Sequence, residues 1–152
     1  MRVLFLNIPA VGHITPTLPL VRELVERGHE VYYANTLKYA EGPRKAGAVF
    51  LPYTGKKALR LKGNPGQFAR LVGMLQWNGV KIIRENLAEY RRISPDIIIH
   101  DSLAVWGPVI ADLLGVPGVG SFTVFVYDRT KTPMRLGFAL KLVGMILTSL
   151  FS

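Results

Sequence analysis

Apolar positions along this chain fall into two alternating rhythms, short unbroken runs and longer stretches with helical spacing. Val3 to Ile8 is a brief apolar run interrupted only at Asn7 and bounded by Pro9, which predicts a buried strand. Pro9 to Pro16 holds two prolines, a glycine, a threonine and a histidine, the composition of a turn. From there Ile14, Leu18, Val21, Leu24 and Val25 share one helical face and Gly28 closes the element. Pro16 and Pro19 are tolerable in a first turn, where the N–H groups have no intrahelical partner. His13 is therefore expected on a loop at the carboxyl end of the first strand, at or just before a helix N-terminus. A second strand follows over Glu30 to Ala34. Asn35 and Thr36 are candidate caps for a short helix over Leu37 to Ala46, interrupted at Gly42-Pro43, and a third strand covers Ala48 to Leu51.

Thr54 to Asn64 has no period and reads as a basic loop. A long helix is expected from Pro65 to Arg92, with Phe68, Leu71, Val72 and Leu75 continued by Val80, Ile83, Leu87 and Tyr90 as its inward stripe, and Gly79 as a kink or break. Asp96 to Asp101 carries three consecutive isoleucines, as a strand buried on both faces would. Ser102 to Leu114 reads as a helix with Val105, Val109, Ile110 and Leu113 inward, and Gly118 to Phe122 as a fifth strand. Residues 128–152 form an apolar tail. Over Gly137 to Phe151 its polar positions, Lys141, Thr148 and Ser149, make one narrow strip on a helix. Such a helix wants to be buried in a core or interface, or to meet a membrane surface, and is shorter than the roughly 20 residues of a membrane span.

Strands alternating with helices predict an α/β fold: one doubly wound, mainly parallel Rossmann-like sheet of order 3-2-1-4-5 with helices on both faces. That order sets strands 1 and 4 side by side at the switch point, so His13 and Asp101 are brought together from distant parts of the sequence. A carboxylate on one ring nitrogen would fix the tautomer and stabilise the imidazolium, while the other nitrogen takes a proton from a bound hydroxyl. The plainer alternatives are a structural loop histidine and an aspartate that caps the helix after Ser102. His29 reads as a turn residue. His100, beside Asp101, belongs to the opposite sheet face.

Composition narrows the field. The 152 residues are 49% hydrophobic and contain no cysteine, which suits a single domain and excludes disulfides and cysteine-based metal sites. Three scattered histidines make a metal site unexpected. Neither G-x-G-x-x-G, nor a P-loop, nor a G-x-S-x-G elbow is present, so the first loop lacks a phosphate cradle. The apolar run after Arg2 is too short, and too broken by Asn7 and Pro9, to read as a secretory signal, and a cytoplasmic or membrane-peripheral location is expected. The formal charge is +9, and its excess lies between Glu41 and Glu85, where Arg44, Lys45, Lys56, Lys57, Arg60, Lys62, Arg70, Lys81 and Arg84 meet no acidic residue. A solvated face, an anionic membrane or partner, and nucleic acid would each suit such an interval. Without an RNP-like strand or zinc finger, no nucleic-acid partner is expected.

Three blocks carry a resemblance. Gly12 to Val31 (G-H-I-T-P-T-L-P-L-V-R-E-L-V-E-R-G-H-E-V), Ser94 to Gly107 (S-P-D-I-I-I-H-D-S-L-A-V-W-G) and Gly115 to Thr123 (G-V-P-G-V-G-S-F-T) resemble segments of the N-terminal domain of family-1, UDP-sugar-dependent glycosyltransferases, most closely the bacterial macrolide and natural-product group. The resemblance runs from Met1 to about Tyr127. It implies one half of a GT-B architecture, with residues 1–152 as a single acceptor domain that stops short of the family's full N-terminal domain. It also implies His13 as base with Asp101 as its partner, and inverting transfer of a sugar to a hydroxyl of a small apolar acceptor. Trp106, Phe122, Phe125 and Met74 would line the acceptor pocket, with core packing as the alternative for each. No cofactor is implied: the UDP-sugar is a co-substrate held mainly by a C-terminal donor domain or subunit absent from this sequence. Two non-catalytic alternatives are a membrane- or partner-docking subunit of a split glycosyltransferase, and a half-domain that self-associates through the face its partner would cover.

Overall fold

The computed structural model describes residues 1–54 and 68–123, and between 68 and 76 it describes the side chain of Leu75 alone. The expected basic loop, from residue 55 onward, and the apolar tail lie outside the described residues.

Five strands form one sheet: β1 (Arg2–Leu6), β2 (Glu30–Asn35), β3 (Val49–Pro52), β4 (Ile97–Asp101) and β5 (Gly118–Ser121). Their order is β3-β2-β1-β4-β5 and every pairing is parallel, as the alternation of strands and helices requires. The helices are α1 (Val11–Ile14), α2 (Leu18–Glu26), α3 (Glu41–Lys45), α4 (Phe68–Ile93) and α5 (Trp106–Leu114), with 3₁₀ turns at Thr15–Thr17 and Leu37–Tyr39.

Strand periodicity divides the core in two. Leu4, Leu6, Ile8 and Ile98 face a cluster with Leu75, Ile82, Tyr90, Trp106 and Ile110 from α4 and α5. Val3, Phe5, Val31 and Tyr33 face the other way, onto Ile14, Val21 and Ala46, with Ile97 and Ile99 packed against them. Asp101 follows the parity of Ile97 and Ile99, whereas His100 follows Ile98. That parity decides which of two adjacent polar residues can reach the first helix.

Several element boundaries differ from the sequence pattern, each for a local reason. The helical chain after β1 starts at Val11, so His13 sits inside a helical turn and not on a loop. The prolines fall downstream, each at the first or second position of its own segment, Pro16 in the 3₁₀ turn and Pro19 in α2, where a missing N–H is harmless. The expected break at Gly42-Pro43 falls earlier, at Ala40 between the 3₁₀ turn and α3.

α4 runs unbroken through Gly79. The glycine marks close packing: an added Cβ there would lie 3.4 Å from Val105 Cγ2 and 3.5 Å from Trp106 Cε3. Among its described side chains α4 buries Leu75, Gly79, Ile82, Asn86, Tyr90 and Ile93, and the expected Ile83 and Leu87 pack half-buried against the same cluster, whereas Val80 is 57% exposed. Likewise α5 begins only at Trp106 and buries Trp106, Gly107, Ile110 and Ala111, leaving Val105, Val109 and Leu113 exposed. These large apolar residues mislead the pattern because small residues make the closest approaches: Gly79 lets α4 meet α5, and Gly107 and Ala111 let α5 lie on His100 of β4 and Gly118 of β5.

Candidate active site

The site is assembled at the carboxyl edge of β1 and β4, the switch point of the sheet. After β1, Ala10 is extended (φ −136°, ψ 129°) and its carbonyl accepts the N–H groups of His13 (3.0 Å) and Ile14 (3.1 Å). This places the imidazole in the first helical turn. On the neighbouring strand Asp101 is the last residue of β4. His13 Nδ1 and Asp101 Oδ2 are 2.8 Å apart across 88 positions of sequence. The Asp101 side chain has no solvent exposure and that of His13 has 16%.

The second oxygen of Asp101 is also occupied. Oδ1 accepts the Leu103 N–H at 2.8 Å, and the Asp101 carbonyl accepts the Ala104 N–H at 2.9 Å. The aspartate therefore ties the turn that leads into α5 and holds the imidazole at the same time, so the capping reading and the dyad reading describe its two oxygens. A carboxylate oxygen only accepts. Nδ1 is then the protonated ring nitrogen, and Nε2 carries the lone pair. Among the described residues Nε2 has no hydrogen-bond partner.

A buried chain of hydrogen bonds fixes the turn that carries His13. Asn7 Nδ2 donates to the His13 carbonyl (2.9 Å) and to the Tyr33 hydroxyl (2.8 Å). The Tyr33 hydroxyl lies 2.9 Å from Thr17 Oγ1, which donates to the Ile14 carbonyl at 2.7 Å. Donor supply sets the direction: Thr17 spends its proton on Ile14, so Tyr33 donates to Thr17. Burial, only partly opposed by these hydrogen bonds, pushes the Tyr33 phenol up to about 12, and it stays a neutral donor at physiological pH. Asn7 is thus the polar break in strand 1 for a reason: it anchors the histidine's backbone.

Thr123, just past β5, completes the cluster, with Oγ1 2.9 Å from His13 Nδ1 and 3.3 Å from Asp101 Oδ2. Sequence reasoning missed Thr123, Asn7, Tyr33 and Thr17. A usable signal existed for the first two, because both stand at the carboxyl end of a strand on the switch-point edge.

Trp106 is 1% exposed and packs edge-on against Tyr53, ring centroids 5.9 Å apart. Phe122 is 75% exposed beside Thr123. Met74 lies on α4 with a side chain that is not among those described, and Phe125 lies outside the described residues. His100 faces α5, where it packs on Gly107, and its Nδ1 lies 3.2 Å from the Asp101 carbonyl. His29 occupies the turn before β2, its N–H on the Leu24 carbonyl. Among the described residues no group of three or more His, Cys, Asp or Glu side chains could hold a metal ion.

Comparison with known proteins gives a consistent set of relatives. The chain is 36% identical over 121 residues to the NDP-glycosyltransferase YjiC of Bacillus subtilis (strain 168), covering 74% of this chain and 29% of that protein. It is 27% identical over 135 residues to the demethyllactenocin mycarosyltransferase of Streptomyces fradiae, covering 77% of this chain and 28% of that protein. Among solved structures, the glycosyltransferase of kitacinnamycin superposes with a TM-score of 0.75 at 25% identity, over 97% of this chain and 35% of that one. No protein-family model matches the chain. The chain spans about a third of the length of the curated relatives it matches. Those relatives are family-1 glycosyltransferases, the structural neighbours are GT-B glycosyltransferases of natural products, and the partial coverage fits an N-terminal domain.

Proposed function

We propose that this chain, whose relatives are family-1 glycosyltransferases, is the acceptor-binding portion of an enzyme that moves a sugar from a UDP-sugar to a hydroxyl of a small apolar acceptor. The observation that carries the reading is the 2.8 Å contact between His13 Nδ1 and the buried Asp101 carboxylate, made at the sheet edge where open α/β folds bind ligands.

In this reading Nε2 removes the proton from the acceptor hydroxyl as its oxygen bonds to the anomeric carbon. The bond from that carbon to the diphosphate oxygen breaks, its electron pair leaves with UDP, and a single displacement inverts the anomeric centre. Asp101 holds the tautomer that presents the Nε2 lone pair and stabilises the imidazolium as it forms. The nucleotide would be held by a donor-binding domain or subunit, because the strand 1 loop offers no phosphate cradle.

The test is transfer from a UDP-sugar by the chain joined to a donor-binding half, with an aromatic or macrolide-like alcohol as acceptor. His13→Ala is expected to lower kcat by about 10²–10⁴-fold, the usual contribution of a positioned acid–base group. A joined enzyme in which His13→Ala stays within a few-fold of the parent would remove the base from this assignment.

A further inference from the structure

Asp101 Oδ2, His13 Nδ1 and Thr123 Oγ1 form a triangle with sides of 2.8, 2.9 and 3.3 Å. Each corner belongs to a different element: the end of β4, the turn of α1, and the chain just after β5. With a neutral ring and the hydroxyl proton inside the triangle, two proton arrangements compete. In one, the Thr123 hydroxyl donates to Nδ1 and the imidazole proton sits on Nε2. Nδ1 and Oδ2 would then face each other at 2.8 Å as two acceptors, next to a carboxylate with no exposure to water, which is repulsive and leaves the carboxylate under-satisfied. In the other, the Thr123 hydroxyl donates to Oδ2, and the Nδ1 proton is shared between Oδ2 and Oγ1. Every polar atom is then satisfied: Oδ2 accepts from Thr123 and His13, and Oδ1 accepts from Leu103.

We propose that Thr123 is a positioning residue that locks His13 in the tautomer with the proton on Nδ1 and the lone pair on Nε2. The aspartate alone can orient the ring, but a single oxygen accepting one hydrogen bond permits the imidazole to swing about that contact. The threonine oxygen beside Nδ1 supplies a second fixed point, and its proton offsets part of the cost of the buried charge. The value of the lock for catalysis rests on the reading of His13 as the base; the lock itself is a property of the folded chain and is measured without any reaction.

The experiment is nitrogen-15 NMR of the histidine rings on the 152-residue chain, comparing the parent with Thr123→Val and Thr123→Ser at neutral pH. In the parent, His13 is expected to show a protonated Nδ1 that exchanges slowly with water and an unprotonated Nε2. Thr123→Val keeps the side-chain shape and removes the hydroxyl. It should keep Nδ1 as the protonated nitrogen but let its proton exchange faster with water and broaden the ring signals, while the backbone spectrum away from the site stays put. Thr123→Ser should restore the parental signature. A parent ring protonated at Nε2, or a valine variant with the parental tautomer and the parental Nδ1–H exchange, would overturn the proposal. In the joined enzyme, failure of His13→Ala to reduce transfer would instead count against the base and leave the tautomer result standing.

Discussion

A methyl group at position 107 has nowhere to go. An ideal Cβ there would stand 2.3 Å from His100 Cβ and 2.5 Å from its Cγ, atoms held close to the strand backbone and unable to swing aside. Gly107→Ala should therefore cost about 1–3 kcal/mol, the usual price of overpacking, read as a lower urea midpoint. Gly12, one residue before His13, has nothing within 4 Å of an added Cβ and sits in α1 without a positive φ. Gly12→Ala should stabilise by about 0.5–1 kcal/mol through the unfolded chain. The pair is a direct check on the packing, since two identical substitutions are expected to move stability in opposite directions. At this scale the sequence was informative where parity rules: strand alternation alone separates Asp101 from His100. For Thr123 it gave the place, the carboxyl end of a switch-point strand, but not the role, because a threonine there looks the same whether it caps, packs or holds a ring.

Among the elements, α4 shows best how a helix can hide its buried face. Asn86 is 1% exposed at its centre and looks, in sequence, like a solvent position. Its Oδ1 accepts from the Thr54 N–H (3.1 Å) and hydroxyl (3.0 Å), and its Nδ2 donates to the Ile82 carbonyl at 2.9 Å. The side chain thus clips the chain leaving β3 onto the helix that returns to β4. Asn86→Ala leaves the Thr54 N–H without its acceptor, while the exposed hydroxyl keeps the Glu85 carbonyl at 3.2 Å, and is expected to cost about 1 kcal/mol. Because both residues serve one contact, Asn86→Ala and Thr54→Ala should be non-additive in a double-mutant cycle; strict additivity would refute the clip. The strand order was legible from alternation and handedness alone. The helix faces were legible in part: Leu75, Ile83, Leu87, Tyr90 and Ile110 face the core as expected, but Val80, Val105, Val109 and Leu113 are exposed, because a hydrophobic count passes over small buried residues such as Gly79 and Gly107.

For the molecule as a whole, three buried phenols set an alkaline limit. Burial pushes Tyr33 up to about 12 and raises Tyr53 and Tyr90 as well. From about pH 10 the unfolded chain releases protons that the folded chain keeps. The unfolded state then binds fewer protons, so stability falls as pH rises through that window, by up to about 1.4 kcal/mol per pH unit for each phenol. Tyr90 offers a clean probe because its hydroxyl is buried without a hydrogen-bond partner among the described residues. Tyr90→Phe should leave stability at pH 7 unchanged or slightly higher and make the fall above pH 10 shallower; an unaltered slope would contradict the assignment. No helix among the described residues is long and apolar enough to cross a membrane, and most of the basic interval lies outside those residues. The strand pairing also carries a kinetic consequence. Arg2 of β1 pairs with Glu30, but Val3 pairs with Ile97, so β1 and β4 close a loop about three times longer, at about 1 kcal/mol more in chain entropy. Pairing of β1 with β2 is thus expected to precede docking of β4. His13 acquires its carboxylate only when β4 docks, and until then the β3-β2-β1 half of the sheet carries the histidine with nothing to hold its ring.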